Sequence, residues 1–124
     1  MKATELRLGN LIYDFNADII TVDSIVVGTK SMTIINGYDP DEELCHPIPL
    51  TEEWLIKFGF KKYGTLDNCY ILGHIIVEIG IMEDTWNCRI TMTKTKSLHL
   101  RGLEYVHTLQ NLYFSFKDEE LTIK

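Results

Sequence analysis

The sequence predicts an α+β chain in which antiparallel strands dominate and two helices punctuate them. Three observations carry that expectation: a full set of helix start and stop signals between Leu50 and Phe60, apolar runs bounded by turn residues on either side of it, and apolar side chains at helical spacing from Leu103 to Phe116. At 124 residues and 45% apolar content, the chain is long enough to bury a core. It reads as a single compact domain over 1–124, with sub-lobes at 1–48 (a strand meander) and 49–124 (mixed α+β).

The front of the chain reads as strands. Leu8 to Phe15 is followed by the turn residues Asn16, Ala17 and Asp18, then by Ile19 to Val27, then by Met32 to Ile35 between Gly28-Thr-Lys30 and Asn36-Gly37. This is a three-stranded meander. Its opening, Leu6-Arg-Leu-Gly-Asn-Leu-Ile-Tyr13, resembles the first strand of small SH3-like barrels. The acidic, turn-rich segment Asp39-Pro-Asp-Glu-Glu43 then reads as a solvated connection.

The first helix follows from Pro47-Ile-Pro-Leu-Thr-Glu-Glu-Trp-Leu-Ile-Lys-Phe-Gly-Phe60. Two prolines keep the approach extended, and Thr51 offers a hydroxyl to an orphaned backbone N–H. Glu52 and Glu53 sit near the positive end of the dipole, and Gly59 suits the left-handed residue that ends a helix. The helix is short and depends on burying Trp54, Leu55 and Phe58.

Tyr70 to Leu72 and His74 to Ile81 read as strands, with a turn expected at Asp84-Thr-Trp-Asn87. The next strand alternates, placing Trp86, Cys88, Ile90 and Met92 on one face and Asn87, Arg89, Thr91, Thr93 and Thr95 on the other. Leu103, Val106, Leu109, Leu112, Tyr113 and Phe116 form the apolar stripe of a C-terminal amphipathic helix, with Glu104, His107, Thr108, Gln110 and Asn111 supplying most of its polar side and an end near Lys117-Asp118. Leu121 to Ile123 is read as a short edge strand.

Several functions are disfavoured. A net charge of −6 opposes the counterion-release term that dominates duplex binding, so no nucleic acid duplex is expected. No apolar run is long enough to span a bilayer and no signal-peptide pattern opens the chain, which predicts a cytoplasmic protein. Cys45, Cys69 and Cys88 are odd in number and unrelated in spacing, as for buried reduced thiols. With the histidines they lack zinc-site spacing, so neither a metal nor another cofactor is expected. Ser24, Ser31, Ser97 and Ser115 have no nucleophile-elbow setting, and the expectation is that the protein is not an enzyme.

Charge is unevenly laid out: residues 1–56 carry 3 basic and 10 acidic side chains, residues 57–124 carry 9 basic and 8 acidic. Arg89, Lys94, Lys96 and Arg101 follow one another with no acidic residue between them, and Thr91, Thr93, Thr95 and Ser97 add hydroxyls. On one strand and its following loop they compose a candidate anion pocket, with Arg89 offering a planar fork to phosphate. Strand parity works against the grouping, because Lys94 and Lys96 share the face of Ile90 and Met92 unless the strand ends there. The alternative is a solvated strand face whose lysines protect an edge. On the acidic front, Asp14, Asp18, Asp23, Asp39, Asp41, Glu42 and Glu43 have the sign of a DNA mimic but are interleaved with strand residues.

Leu50-Thr-Glu-Glu-Trp-Leu-Ile-Lys-Phe-Gly-Phe60, Tyr105-Val-His-Thr-Leu-Gln-Asn-Leu-Tyr-Phe114, Glu119-Glu-Leu-Thr-Ile-Lys124 and the opening Glu5-Leu-Arg-Leu-Gly-Asn10 are similar to a family of uncharacterised small proteins of Bacteroides-type bacteria, their prophages and their phages. The resemblance implies a mobile-element context and, by association, a non-enzymatic binding protein that inhibits a host factor, as in counter-defence. The alternative is a binder that sequesters a small phosphate-bearing ligand such as a nucleotide, where a homo-oligomer would help by building the pocket between subunits.

Overall fold

The computed structural model describes residues 5–27, 33–35, 45–65, 68–79, 86–91 and 97–124. Nine strands and two helices lie in these residues: β1 (Leu11–Tyr13), β2 (Ile19–Thr21), β3 (Ile25–Val27), β4 (Thr33–Ile35), α1 (Glu52–Lys57), β5 (Lys61–Lys62), β6 (Cys69–Leu72), β7 (Ile75–Ile79), β8 (Trp86–Thr91), β9 (Ser97–Leu103) and α2 (Val106–Lys117). All pairings are antiparallel, in two two-stranded ladders, β1-β2 and β3-β4, and one five-stranded sheet in the order β5-β6-β7-β8-β9. The α+β class expected from the sequence is the class observed. The chain divides into two compact units: residues 1–49 with 105–121, and residues 50–104 with 122–124.

In the first unit, Ile12 pairs with Ile20 across β1 and β2. The turn between them is built by Asp14, whose Oδ1 accepts from the backbone N–H of Asn16 (2.8 Å) and of Asp18 (2.9 Å), while Ala17 adopts φ 61. One continuous strand from Ile19 to Val27 was expected. The ladder instead stops after Thr21, where Val22 turns inward to join Leu6, Ile12 and Cys45 in the core and donates to the Asn10 carbonyl at 2.8 Å. The expected meander is therefore two separate ladders. The expected turn at Asn36-Gly37 and the acidic segment at 39–43 lie outside the described residues.

Helix α2 completes this unit with a polar device. Gln110, 2% exposed, accepts from the Leu11 N–H through Oε1 at 2.8 Å and donates through Nε2 to the carbonyls of Gly9 and Leu121, each at 3.3 Å. At the next position of the helix, Asn111 accepts from Asn10 Nδ2 and donates to the Glu5 carbonyl, both at 2.8 Å. The Arg7 guanidinium lies 4.0 Å over the Phe114 ring and pairs with Glu120. The assignment of His107 and Gln110 to a solvated side is corrected: both are buried, because α2 turns its amide-bearing side onto the backbone of the front segment. The helix starts at Val106, three residues later than the stripe suggested, since Leu103 belongs to β9. The tail at Leu121 to Ile123 forms no strand; Leu121 is buried and held through its carbonyl.

His107 gives this unit an acid limit. Its ring stacks on Tyr105 with centroids 5.6 Å apart, Nε2 lies 3.7 Å from Glu5 Oε2, and Nδ1 is buried without a partner among the described residues. Burial pushes its pKa below the ordinary 6.5, outweighing the upward pull of Glu5. Its place in the first turn of α2 also opposes a positive charge there. The folded state thus binds fewer protons than the unfolded chain below about pH 6.5, so stability is full above that value and falls as pH drops toward the folded pKa. The expected slope is at most about 1.4 kcal/mol per pH unit. Urea unfolding from neutral to mildly acidic pH should show a shallower loss for His107→Leu than for the wild type; equal slopes would remove His107 from the account.

In the second unit, α1 has the expected bounds but not the expected cap: Thr51 is extended, and its side chain makes no capping hydrogen bond. The first turn is closed by Leu55 N–H donating to the Thr51 carbonyl at 3.2 Å. The C-terminus matches expectation, with Gly59 at φ 94, Phe60 N–H donating to Leu55 and Gly59 N–H to Ile56, each at 3.0 Å. A side chain at Gly59 would also meet Lys124 Cγ at 3.1 Å. Trp54, Leu55 and Phe58 are buried as expected.

The five-stranded sheet buries Tyr70, Ile75, Val77, Trp86, Cys88 and Ile90 in register on one face, and Cys69 and Ile76 on the other. Trp86 packs edge-on to Tyr70 at 6.0 Å and donates its indole N–H to the Leu50 carbonyl at 2.9 Å, tying the sheet to the approach to α1. Strand β8 starts at Trp86, so Trp86 and Asn87 belong to the ladder rather than to the turn expected at 84–87. The rest of that turn lies outside the described residues.

Candidate functional site

The sequence placed a candidate anion site on one strand and a following loop. Strand β8 carries Arg89 and ends at Thr91, and the segment read as loop contains a seven-residue strand, β9, antiparallel to β8. Lys94, Lys96 and Thr93 fall outside the described residues. Arg89 and Arg101 lie on adjacent strands.

Register decides which side chains meet. Arg89 is directly opposite His99, Ile90 opposite Leu98, and Thr91 opposite Ser97. Directly opposed residues in an antiparallel pair share a face with Cβ atoms about 4.5–5.5 Å apart, so the Arg89 fork and the His99 ring stand side by side on the face opposite Cys88 and Ile90. Arg101 is two residues beyond His99 and shares its face by strand parity. Between Trp86 and Cys88 the register shifts: Asn87 is spanned by Arg101 and Gly102, and Gly102 takes φ 75. This β-bulge turns the end of β9 next to Arg101. Arg89, His99 and Arg101 are all exposed.

Ser97 Oγ lies 3.2 Å from His99 Nε2. A hydroxyl beside an imidazole is half of a nucleophile arrangement, but catalysis also needs a third group to orient the base and a site shielded from water. Ser97 and His99 are both exposed, and no described residue is hydrogen-bonded to the other ring nitrogen of His99. Among the described residues the pair therefore lacks the third group that an activated nucleophile uses.

Nearer the middle of the sheet, Glu78 is opposite both Cys69 and Asn87, and Cys69 Sγ donates to Glu78 Oε2 at 3.4 Å. Burial and the Glu78 carboxylate raise the Cys69 pKa despite Arg89. Burial also raises Cys45, and it pushes Cys88 up to about 11. All three cysteines are buried and free, and protonated at neutral pH they are not nucleophiles. No group of three His, Cys, Asp or Glu suited to a metal occurs among the described residues, and no described helix is long and apolar enough to cross a membrane.

The chain matches no protein-family model, no curated protein and no solved structure. The geometry of β8 and β9 therefore bears the functional argument by itself. His99 was missed by the sequence reading, and Ser97 counted there only as a hydroxyl donor, because their relation to Arg89 depends on β9 being a strand. Leu98 and Leu100 alternating with His99 and Arg101 were its only trace. On the acidic front, Asp14 is committed to its turn, and Asp39, Asp41, Glu42 and Glu43 lie outside the described residues.

Proposed function

We propose that this protein acts by binding rather than by catalysis, and that the outer face of β8 and β9 receives an anionic surface of a macromolecular partner. The observation that carries the reading is the opposition of Arg89 and His99 in the ladder, flanked by Arg101, with no acidic residue in either strand. An open sheet face suits a protein surface better than a small ligand, which is usually held in a concave site. Two arginines on a rigid sheet offer planar donors to carboxylates at little entropic cost. The resemblance read in the sequence to small proteins of Bacteroides-type bacteria and their phages extends the proposal to a host factor as the partner and inhibition as the outcome.

The test is recovery of partners from a Bacteroides-type lysate, comparing wild type with Arg89→Glu by native mass spectrometry. Arg89 is exposed, so the variant should keep its thermal stability while binding falls at least about tenfold, as expected when a charge is reversed at an interface. A partner retained by Arg89→Glu would place the interface elsewhere. A small bound mass lost on the same substitution would favour the phosphate-bearing ligand instead.

A further inference from the structure

We infer that β9 is a docking edge for an extended acidic peptide segment, which adds to the sheet as a sixth strand beside β9. This rests on the reading of the outer face as an anion-binding surface and names the kind of partner that surface fits.

Strand β9 is terminal in the sheet, bonded on one side to β8. Among the described residues, no backbone hydrogen bond or bridge reaches its other side. In an antiparallel ladder, alternate residues direct their N–H and C=O groups away from the neighbouring strand, so Ser97 to Leu103 carries a row of donors and acceptors on the outer edge. The register with β8 is regular from Ser97 to Leu100, and the bulge at Arg101 and Gly102 closes that row. The template is thus short and bounded at one end.

Side chains along the edge specify what fits. On the face of Cys88 and Ile90, β9 presents Leu98, which is 38% exposed, and the half-buried Leu100. On the other face it presents His99 and Arg101, with Arg89 one strand inward. An incoming strand must alternate in the same way, with apolar side chains covering Leu98 and Leu100 and carboxylates beside His99 and Arg101. A second copy of β9 lacks this complementarity, since it would bring its own basic His99 and Arg101 where carboxylates are needed. Backbone bonds supply affinity in strand addition, while the alternate side chains supply specificity.

The probe is a fluorescently labelled peptide alternating glutamate and valine. It is compared with the same residues arranged in two blocks, with the alternating peptide N-methylated at every second backbone nitrogen, and with polyphosphate. Anisotropy gives affinity, and hydrogen exchange gives protection of the β9 amides. The alternating peptide should bind about tenfold more tightly than either altered peptide and slow exchange between Ser97 and Leu103, and Arg101→Glu should abolish both effects. If all three peptides bind alike, or polyphosphate outcompetes them, the edge is not used and the inference fails while the anion-binding face stands. If neither peptides nor polyphosphate bind, both readings fail.

Discussion

Gln110→Ala should destabilise the first unit by about 2–4 kcal/mol, because it strips one backbone donor and two carbonyls of their partner at once. Leucine at the same position separates the two contributions, since it restores most of the side-chain volume and none of the bonds. If the amide is what matters, Gln110→Leu melts nearly as early as Gln110→Ala, and the Leu11 amide exchanges faster in both. A leucine variant as stable as the wild type would show that Gln110 acts by filling space.

Trp86→Ala should cost about 3–5 kcal/mol, the range for removing a large buried aromatic side chain. Two effects combine: the edge-on contact with Tyr70 is lost, and the Leu50 carbonyl loses its donor. Trp86→Phe keeps much of the first and deletes the second, so its cost should be about 1–2 kcal/mol. Chemical denaturation measures both. A phenylalanine variant indistinguishable from wild type would mean that water satisfies Leu50 without the indole.

What could be read in the sequence, and what could not, follows from the range of the interactions involved. The end of α1 was legible because it is local: Gly59 takes its positive φ and Phe60 bonds back to Leu55 within one turn. The start was less legible. Thr51 is a favoured cap residue, yet its hydroxyl makes no capping bond, because a preference for a residue type does not fix its rotamer. The inward alternation of Trp86, Cys88 and Ile90 was legible from parity alone.

The burial of Gln110 and His107 was not legible. Both residues look polar on a helical projection, and their partners Leu11, Gly9 and Glu5 lie about a hundred positions away in sequence. The candidate site failed in the same manner. Arg89 and Arg101 were visible as cations, but the relation of Arg89 to His99 exists only through the β8–β9 register. The bulge at Gly102 offered no pattern that could reveal that register in advance.

The discontinuity of the first unit also sets an order of events during synthesis. Its front segment ends at Pro49, but the amides of Gln110 and Asn111 that bind Leu11 and Asn10 emerge only after some sixty further residues. At typical elongation rates of about 5–20 residues per second, this leaves Ile12 and Val22 without their helix for roughly 3–12 s. The segment from Leu50 to Glu104 leaves the ribosome as one stretch and waits only for the last three residues, Thr122 to Lys124. The newborn chain is therefore most exposed to chaperones and proteases at its front, and a synonymous change that slows translation between the two segments lengthens that exposure without altering a single side chain.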